Sequence, residues 1–124
     1  MSELSKRVLL VDDEAHVRSV MQLKLHTAGY WVETASEGED GLRVAGDFRP
    51  HLIISDYQLP AMDGLEMCRR LRADAVLGNV PVLLLTSREF EMSPDRLAGT
   101  NIMAVRDKPF SPREILKLVG NLLA

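Results

Sequence analysis

The sequence predicts an α/β fold in which a central parallel β-sheet is covered by helices on both faces. Apolar runs of strand length, such as residues 52–56 and 82–86, lack the alternation of a half-exposed strand, which indicates strands buried on both sides. Segments with helical spacing of apolar residues lie between these runs, so that five predicted strands alternate with five predicted helices. A length of 124 residues is typical of one domain, and we expect residues 1–124 to form a single domain.

In the first half of the chain, residues that favour helix ends separate the predicted strands. The strands are expected at residues 6–11, 30–35 and 52–56. The acidic residues 12–14 open the first helix, because negative charge favours the positive end of the helix dipole, and Gly29 ends it. Ser36 and Glu39 fit a capping box, so the second helix is predicted to begin at a Ser36 cap and to reach about Ala45.

Caps also mark the helices of the second half. Asp63, with Glu66 three residues later, is predicted to begin the third helix. The Ser-Pro pair at 93–94 begins a short fourth helix that ends before Gly99, and Ser-Pro-Arg-Glu at 111–114 begins the last helix. The remaining strands are expected at residues 82–86 and 102–105, and the charged residues after the last strand indicate that it lies at the edge of the sheet.

Composition and charge exclude several classes of protein. Hydrophobic residues make up 46% of the chain, which suits a folded core, and a net charge of -3 gives no basic surface for direct binding of nucleic acid. No apolar stretch approaches the ~18 residues of a transmembrane helix, so we expect no membrane span. The only cysteine, Cys68, lies on an apolar helix face, where a packed thiol is expected. One cysteine forms no internal disulfide, which fits a reducing compartment, and we expect a cytoplasmic protein.

Polar side chains follow four of the predicted strands, at the point where each strand ends. They are Asp12 and Asp13 after the first strand, Asp56 at the end of the third, Thr86 at the end of the fourth and Lys108 after the fifth. Because parallel strands point the same way, these side chains should gather at one edge of the sheet, where open α/β sheets bind ligands. Each has a structural explanation when taken alone: paired aspartates cap helices, threonine suits a strand, and a lysine before proline is often solvated.

The combination of these residues indicates phosphoryl transfer. Three clustered carboxylates repel one another, and Mg²⁺, which prefers oxygen ligands, would remove that repulsion. A carboxylate beside the metal ion can attack a phosphoryl group and carry it as an acyl phosphate. The hydroxyl of Thr86 and the fixed charge of Lys108 would hold the phosphoryl oxygens.

With these residues in place, the sequence resembles the receiver domain of two-component response regulators, the CheY-like family. The resemblance covers residues 5–124, and its motifs are VLLVDDE, IISDYQLPAMDG, LLLTS and DKPF. It implies a flavodoxin-like (βα)5 three-layer sandwich with a five-stranded parallel sheet of order 2-1-3-4-5. It also implies a cis peptide bond before Pro109.

The resemblance implies a role for each polar residue. Asp56 would be the phosphoacceptor, Thr86 the switch hydroxyl that moves toward the phosphoryl group, and Lys108 the lysine that pairs with that group. The Mg²⁺ ligands would be Asp12, Asp13, Asp56 and the backbone carbonyl of Gln58. Pro60 and Gly64 would shape the loop after the acceptor.

Three features depart from that family. Val105 stands where the family often has an aromatic residue that moves inward on activation, and Arg106 stands where an apolar strand residue is common. The segment 88–101 is weakly helical, and Phe90 and Met92 would supply its packing. All three lie on the face formed by the fourth helix, fifth strand and fifth helix, which many receivers use for dimers or targets. We therefore expect an unusual output surface, which could also support a homodimer.

We expect a signalling switch that phosphorylates and dephosphorylates itself and turns over no metabolite. Its partners would be a histidine kinase or phosphotransfer protein and an unknown output partner or fused effector domain. The alternative is a phosphorylation-independent interaction module of the same fold, which Val105 favours and the complete set of polar residues disfavours. A phosphatase of the haloacid dehalogenase type would need an Asp-x-Asp motif after the first strand, where this chain has Asp12-Asp13-Glu14.

Overall fold

The computed structural model describes residues 5–88 and 91–124, and these form five strands and five helices in alternation. In chain order the elements are β1 (Arg7–Val11), α1 (Ala15–Thr27), β2 (Trp31–Ala35), α2 (Gly38–Phe48), β3 (Leu52–Asp56), α3 (Gly64–Ala73), β4 (Val82–Thr86), α4 (Pro94–Leu97), β5 (Ile102–Asp107) and α5 (Pro112–Leu123). The predicted α/β fold is confirmed. Among these described residues, no helix has both the length and the apolar character needed to cross a membrane.

The strands form one parallel sheet in the order β2-β1-β3-β4-β5, which confirms the order implied by the resemblance. At its centre, Leu9 of β1 pairs with Ile53 of β3. The predicted edge position of β5 is confirmed, but this strand continues beyond Val105, because the ladder with β4 is kept until Thr86 pairs with Asp107. All five strands point the same way, so the residues that follow them lie along one edge of the sheet.

Two apolar layers cover the sheet. Alternate residues of β1 face opposite sides, so that Leu10 packs in the layer with α1 and α5 whereas Leu9 packs in the layer with α2 and α3. Every residue of β3 and β4 is buried, as predicted for strands covered on both faces. Cys68 lies in the second layer, where burial raises the pKa of its thiol to about 12, and the expected packed thiol is confirmed.

A smaller apolar cluster lies beside α4. Its buried members are Leu65, Leu84 and Met92, and its partly buried members are Tyr57, Leu97, Ile102 and Val105. The predicted packing of Met92 is confirmed, and Phe90 lies outside the described residues. The fourth helix is a single turn that ends before Gly99, as predicted, and Gly99 has a φ of 76°, a conformation that favours glycine.

Two of the predicted caps form as expected. Asp63 accepts a hydrogen bond from the backbone N–H of Glu66 at 2.9 Å, and Ser93 accepts one from that of Arg96 at 3.3 Å. Ser111 occupies the cap position of α5, but its hydroxyl makes no cap hydrogen bond.

The capping box predicted at Ser36 is wrong. Glu37 occupies the N-cap position of α2, and its side chain makes no cap hydrogen bond. The backbone of Glu37 is extended, with φ -153° and ψ 167°, and its carbonyl accepts a hydrogen bond from the N–H of Gly41 at 2.9 Å. Helical backbone angles therefore begin at Gly38, which packs so closely that a Cβ there would lie 3.0 Å from the Met62 sulfur.

The same helix runs to Phe48, beyond its predicted end near Ala45. The Phe48 ring contacts Trp31 of β2 edge to face, with ring centroids 5.7 Å apart. The backbone carbonyl of Phe48 also accepts a hydrogen bond from Nε of Arg7 at 3.0 Å. These tertiary contacts stabilise the last turn and outweigh the cost of Gly46 in a helix, roughly 1 kcal/mol.

The first helix begins at Ala15, after the acidic residues 12–14 that were predicted to open it. Asp12 still belongs to the sheet edge, because its backbone N–H donates to the carbonyl of Ala35 at 3.1 Å and so extends the ladder between β1 and β2. Gly29 follows the last turn with a φ of 102°, and the predicted helix end is confirmed.

Candidate functional site

Three carboxylates meet at the carboxyl edge of the sheet. Asp12 and Asp13 follow β1, and Asp56 ends β3, the neighbouring strand. One oxygen of each carboxylate lies within 4.8 Å of the others. Asp12 and Asp56 are buried whereas Asp13 is exposed, so the cluster is open to solvent on the side of Asp13.

Asp12 carries a buried oxygen that lacks a hydrogen bond. Its Oδ1 accepts from the backbone N–H of Glu14 at 2.9 Å, whereas Oδ2 has no hydrogen-bond partner among the described residues and lies 3.7 Å from Nζ of Lys108. Burial raises the pKa of Asp12, although the Glu14 hydrogen bond and the charge of Lys108 act in the opposite direction. An unsatisfied buried carboxylate oxygen is costly in a folded protein, and a bound cation would satisfy it.

Lys108 joins the cluster from the turn after β5. Its Nζ lies 2.9 Å from Oδ2 of Asp56, and its backbone N–H donates to the carbonyl of Thr86 at 2.9 Å. Burial alone would lower the pKa of Lys108, but its hydrogen bond to Asp56 and the charges of Asp56 and Asp12 raise it overall. The ammonium group therefore stays charged at neutral pH. The peptide bond before Pro109 is cis, which confirms that implication of the resemblance.

The ionisation of Asp56 depends on burial and on nearby charge. Burial raises the pKa of Asp56 most strongly; its hydrogen bond and charge interaction with Lys108 and a hydrogen bond with the backbone of Gln58 oppose this, and the net shift is upward. A carboxyl group must be ionised to act as a nucleophile. Further positive charge at the cluster would therefore favour the reactive form of Asp56.

Thr86 ends β4, the strand next to the one that carries Asp56. It follows Leu85, which pairs with Asp56 in the sheet, and it is buried. Its Oγ1 accepts a hydrogen bond from the backbone N–H of Arg88 at 3.0 Å. A hydroxyl that accepts one hydrogen bond can still donate its own hydrogen, so Thr86 keeps a donor for a further hydrogen bond.

The loop after Asp56 is held tightly against the strand ends. The backbone N–H of Tyr57 donates to the carbonyl of Leu85 at 2.8 Å, and the carbonyl of Tyr57 accepts from the N–H of Gly64 at 2.8 Å. A Cβ at Gly64 would lie 2.6 Å from the carbonyl oxygen of Asp56, a distance that only glycine avoids. The carbonyl of Pro60 accepts from a backbone N–H two residues later at 2.7 Å, which closes the turn.

Sequence reasoning missed two contacts of this region. Nη1 of Arg18 donates to the main-chain carbonyl of Asp12 at 2.7 Å. Nη2 of Arg96 donates to the hydroxyl of Tyr57, the residue after Asp56, at 2.9 Å. Neither contact has a local signal, because each depends on how a helix sits against the end of a strand.

The donor set at the edge of the sheet suits a hard divalent cation. Three carboxylates offer oxygen ligands within 4.8 Å of one another, and one buried oxygen, Oδ2 of Asp12, is without a hydrogen bond in the described part of the chain. Mg²⁺ uses one or two carboxylates and keeps several waters, which the exposed side of the cluster at Asp13 would admit. The residues present therefore fit Mg²⁺.

The family described as response regulator receiver domain matches residues 8–120 of the chain. The alkaline phosphatase synthesis transcriptional regulatory protein PhoP of Bacillus subtilis is 40% identical over 122 residues, which cover 97% of this chain and 49% of that protein. The chain spans about half the length of the curated relatives it matches.

Solved structures share the fold. The chemotaxis response regulator CheY4 of Vibrio cholerae matches with a TM-score of 0.89 at 32% identity, over 96% of this chain and 99% of that one. The receiver domain of the sensor histidine kinase PA1611 from Pseudomonas aeruginosa has a magnesium ion coordinated in its active site cleft. It matches with a TM-score of 0.85 at 25% identity, over 96% of this chain and 98% of that one. The flavodoxin-like architecture implied by the resemblance is therefore confirmed.

Proposed function

The chain belongs to the family of response regulator receiver domains, and we propose that its Asp56 accepts a phosphoryl group from the phosphohistidine of a histidine kinase or phosphotransfer protein. The observation that carries this proposal is the convergence of Asp56 with Asp12 and Asp13, whose oxygens lie within 4.8 Å of one another. Receiver domains act as signalling switches rather than as metabolic enzymes. We further propose that this one catalyses its own phosphorylation and dephosphorylation.

In the proposed transfer, one carboxylate oxygen of Asp56 attacks the phosphorus, and the bond from phosphorus to the imidazole of the kinase breaks. The imidazole leaves with the electron pair and takes up a proton, and Asp56 becomes an acyl phosphate. The ammonium group of Lys108, 2.9 Å from the carboxylate, stabilises the negative charge of the phosphoryl oxygens. Thr86 donates its hydroxyl hydrogen to one of these oxygens. Water later attacks the phosphorus, the bond from phosphorus to the Asp56 oxygen breaks, and inorganic phosphate leaves while the carboxylate is restored.

Asp12, Asp13, Asp56 and the backbone carbonyl of Gln58 would hold Mg²⁺ in this reaction. The bound ion would neutralise the negative charge that the carboxylates share with the phosphoryl oxygens. Oδ2 of Asp12, which accepts no hydrogen bond in the described part of the chain, and the exposure of Asp13 support this assignment. The magnesium ion in the active site cleft of the Pseudomonas receiver domain supports it as well.

Phosphorylation would then shift the population of conformations on the face formed by α4, β5 and α5. The partner on this face would be a separate target, a fused effector domain or a second copy of the chain. The greater length of PhoP, which is named a transcriptional regulatory protein, supports an effector domain. Any nucleic acid would be bound by that domain, since this chain has a net charge of -3. The single cysteine fits a reducing compartment and supports a cytoplasmic location.

A phosphorylation-independent interaction module is the second candidate. Val105, partly buried in the cluster beside α4, favours this function, because it offers no aromatic ring that could move on activation. The complete set of carboxylates with Lys108 disfavours it, since an interaction module has no need to bury this charge.

Intact mass after incubation with acetyl phosphate and Mg²⁺ distinguishes the two candidates. We expect one added phosphoryl group on the wild type, and none on Asp56→Asn or in the absence of Mg²⁺. Asp63→Asn is the matched control, because Asp63 is an exposed helix cap and asparagine caps helices as well. A wild-type chain that binds Mg²⁺ and gains no mass would contradict the phosphoacceptor role and favour the interaction module.

A further inference from the structure

Tyr57 connects the acceptor to the fourth helix. It directly follows Asp56 in the chain, and its hydroxyl accepts a hydrogen bond from Arg96 of α4. We propose that the contact between Tyr57 and Arg96 is the link through which the acceptor site controls the position of α4. This proposal rests on the phosphoacceptor role of Asp56, and it makes Tyr57 and Arg96 positioning residues of the switch.

The backbone of Tyr57 is held by two hydrogen bonds, one at its N–H and one at its carbonyl. Its N–H donates to the carbonyl of Leu85 and its carbonyl accepts from the N–H of Gly64, both at 2.8 Å. A phosphoryl group on Asp56 would add three charged oxygens at the start of this loop. Because Tyr57 directly follows Asp56 and its backbone is held by hydrogen bonds, a shift of the strand end would be passed to its ring and not absorbed by the loop.

The contact between Tyr57 and Arg96 combines a hydrogen bond with a cation–π interaction. Nη2 of Arg96 lies 2.9 Å from the hydroxyl oxygen, and the guanidinium carbon lies 5.5 Å from the centroid of the ring. Both partners are half-buried, so water screens the interaction less than it would on an open surface. A small displacement of the ring would therefore weaken two interactions at once.

The fourth helix depends on such contacts for its position. It has four residues, none of them buried, and one helical turn is not stable without tertiary support. Its backbone is also held by Nη2 of Arg69, which donates to the carbonyl of Arg96 at 3.4 Å, and Leu97 packs on the apolar cluster. A helix held this weakly can move when the Tyr57 contact changes.

The Tyr57 ring shares its apolar cluster with Val105 of β5 and Met92. Valine at position 105 leaves that strand without an aromatic side chain to connect the site with the helix. Among the residues that the structure describes, the aromatic ring of the cluster is that of Tyr57, from the loop after Asp56. The output face would thus respond to phosphate through this loop.

Exchange of two amide hydrogens with solvent, measured by NMR, tests the proposal. The backbone N–H groups of Arg96 and Leu97 both donate to Ser93, at 3.3 and 3.1 Å, so their exchange reports whether α4 is formed. Tyr57→Phe removes the hydroxyl and keeps the ring, and Arg96→Gln removes the charge. Matched controls are Tyr30→Phe, in the apolar layer of α1 and α5, and Arg43→Gln, an exposed arginine on α2 that pairs with Asp40.

In the wild type, we expect phosphorylation with acetyl phosphate and Mg²⁺ to accelerate exchange at these two amides about fivefold. In Tyr57→Phe and in Arg96→Gln, exchange should already be fast without phosphate, and phosphate should change it little. Arg96→Lys, which keeps the charge and one donor, should restore part of the response. The two controls should behave like the wild type.

Two outcomes would overturn the proposal, and they can be told apart. If intact mass shows that Tyr57→Phe accepts phosphate and its α4 amides respond as in the wild type, the coupling is wrong and the phosphoacceptor role stands. If the wild type gains no phosphoryl mass, the phosphoacceptor role fails and the coupling fails with it.

Discussion

At the scale of single residues, Asp12 shows how the site exchanges stability for binding capacity. The residue is fully buried, one of its oxygens lacks a hydrogen bond among the described residues, and burial raises the pKa of its carboxyl above the ordinary value of 3.8. The folded state therefore holds the Asp12 proton more tightly than the unfolded chain does. It follows that the carboxylate form lowers the stability of the metal-free fold.

The pH dependence of this cost gives a prediction. The stability contributed by protonated Asp12 is fully present below pH 3.8 and is lost as the pH rises through the raised pKa of the folded state. Without Mg²⁺, Asp12→Asn should have a free energy of unfolding close to that of the wild type near pH 4. At neutral pH the variant should be more stable by about 1 kcal/mol. Urea unfolding at the two pH values in a chelator measures this difference.

Asp63→Asn serves as the control for that prediction, because the side chain is exposed and asparagine also caps helices, so this variant should not be more stable than the wild type at neutral pH. A variant at Asp12 that is less stable than the wild type at neutral pH would contradict this account of the carboxylate.

At the scale of elements, the loop between β3 and α3 shows that backbone packing positions Asp56. The loop turns back so closely that a Cβ at Gly64 would lie 2.6 Å from the carbonyl oxygen of Asp56. A backbone carbonyl cannot move aside as the end of a flexible side chain can. The observed position of Asp56 therefore requires a glycine at residue 64.

Alanine at two glycines separates this steric effect from helix propensity. We expect Gly64→Ala to lower the free energy of unfolding by about 1–3 kcal/mol and to slow phosphorylation, because the Asp56 carbonyl must shift. Gly46→Ala, within α2 and with nothing within 4 Å of the added Cβ, should raise the free energy of unfolding by about 0.5–1 kcal/mol. Urea unfolding measures the stability of both variants, and a time course of intact mass measures their phosphorylation. Equal changes in the free energy of unfolding at the two sites would contradict the steric explanation.

The edge strand β5 gives a second prediction at this scale. Val105 is partly buried in the cluster beside α4. In the sheet, β4 lies between β5, which carries Val105, and β3, which carries Asp56. Val105→Tyr should therefore leave the rate of phosphorylation by acetyl phosphate nearly unchanged. A time course of intact mass measures this rate, and a large loss would show that this position acts on the chemistry itself.

At the scale of the whole molecule, the site lies at one edge of a sheet that two apolar layers hold from both faces. Since every strand of the sheet contributes to those layers or to the ladder between them, unfolding is expected to be cooperative. Anything that binds the folded site then stabilises the whole domain. Global stability can therefore report occupation of the carboxylate cluster.

Addition of Mg²⁺ should raise the urea midpoint of the wild type. The free energy of unfolding should increase by about 2.7 kcal/mol at a Mg²⁺ concentration one hundredfold above the dissociation constant, and a chelator should remove this increase. Asp13→Asn should need a higher Mg²⁺ concentration for the same gain, because Asp13 is the exposed carboxylate of the cluster. Asp47→Asn, exposed on α2, is the control. An unchanged Mg²⁺ requirement in Asp13→Asn would contradict the proposal that Asp13 is a ligand.

The sequence by itself determined the fold class and the edge at which the polar residues meet. Unalternating apolar runs specify strands buried on both faces, and parallel strands place Asp12, Asp56, Thr86 and Lys108 at one edge whatever the details of the helices. The cap at Asp63 was also readable, because its hydrogen bond spans only three residues. Such signals work because periodicity and capping act over a few neighbouring residues.

Only the tertiary structure decided the features that depend on contacts between distant segments. The second helix runs to Phe48 because the ring meets Trp31 on another element, and helix propensity cannot show such a contact. The pairing of Tyr57 with Arg96 likewise joins residues 39 positions apart. The physical reason is that local free energies of about 1 kcal/mol per residue are outweighed by packing between elements, whose register and spacing exist only in the folded chain.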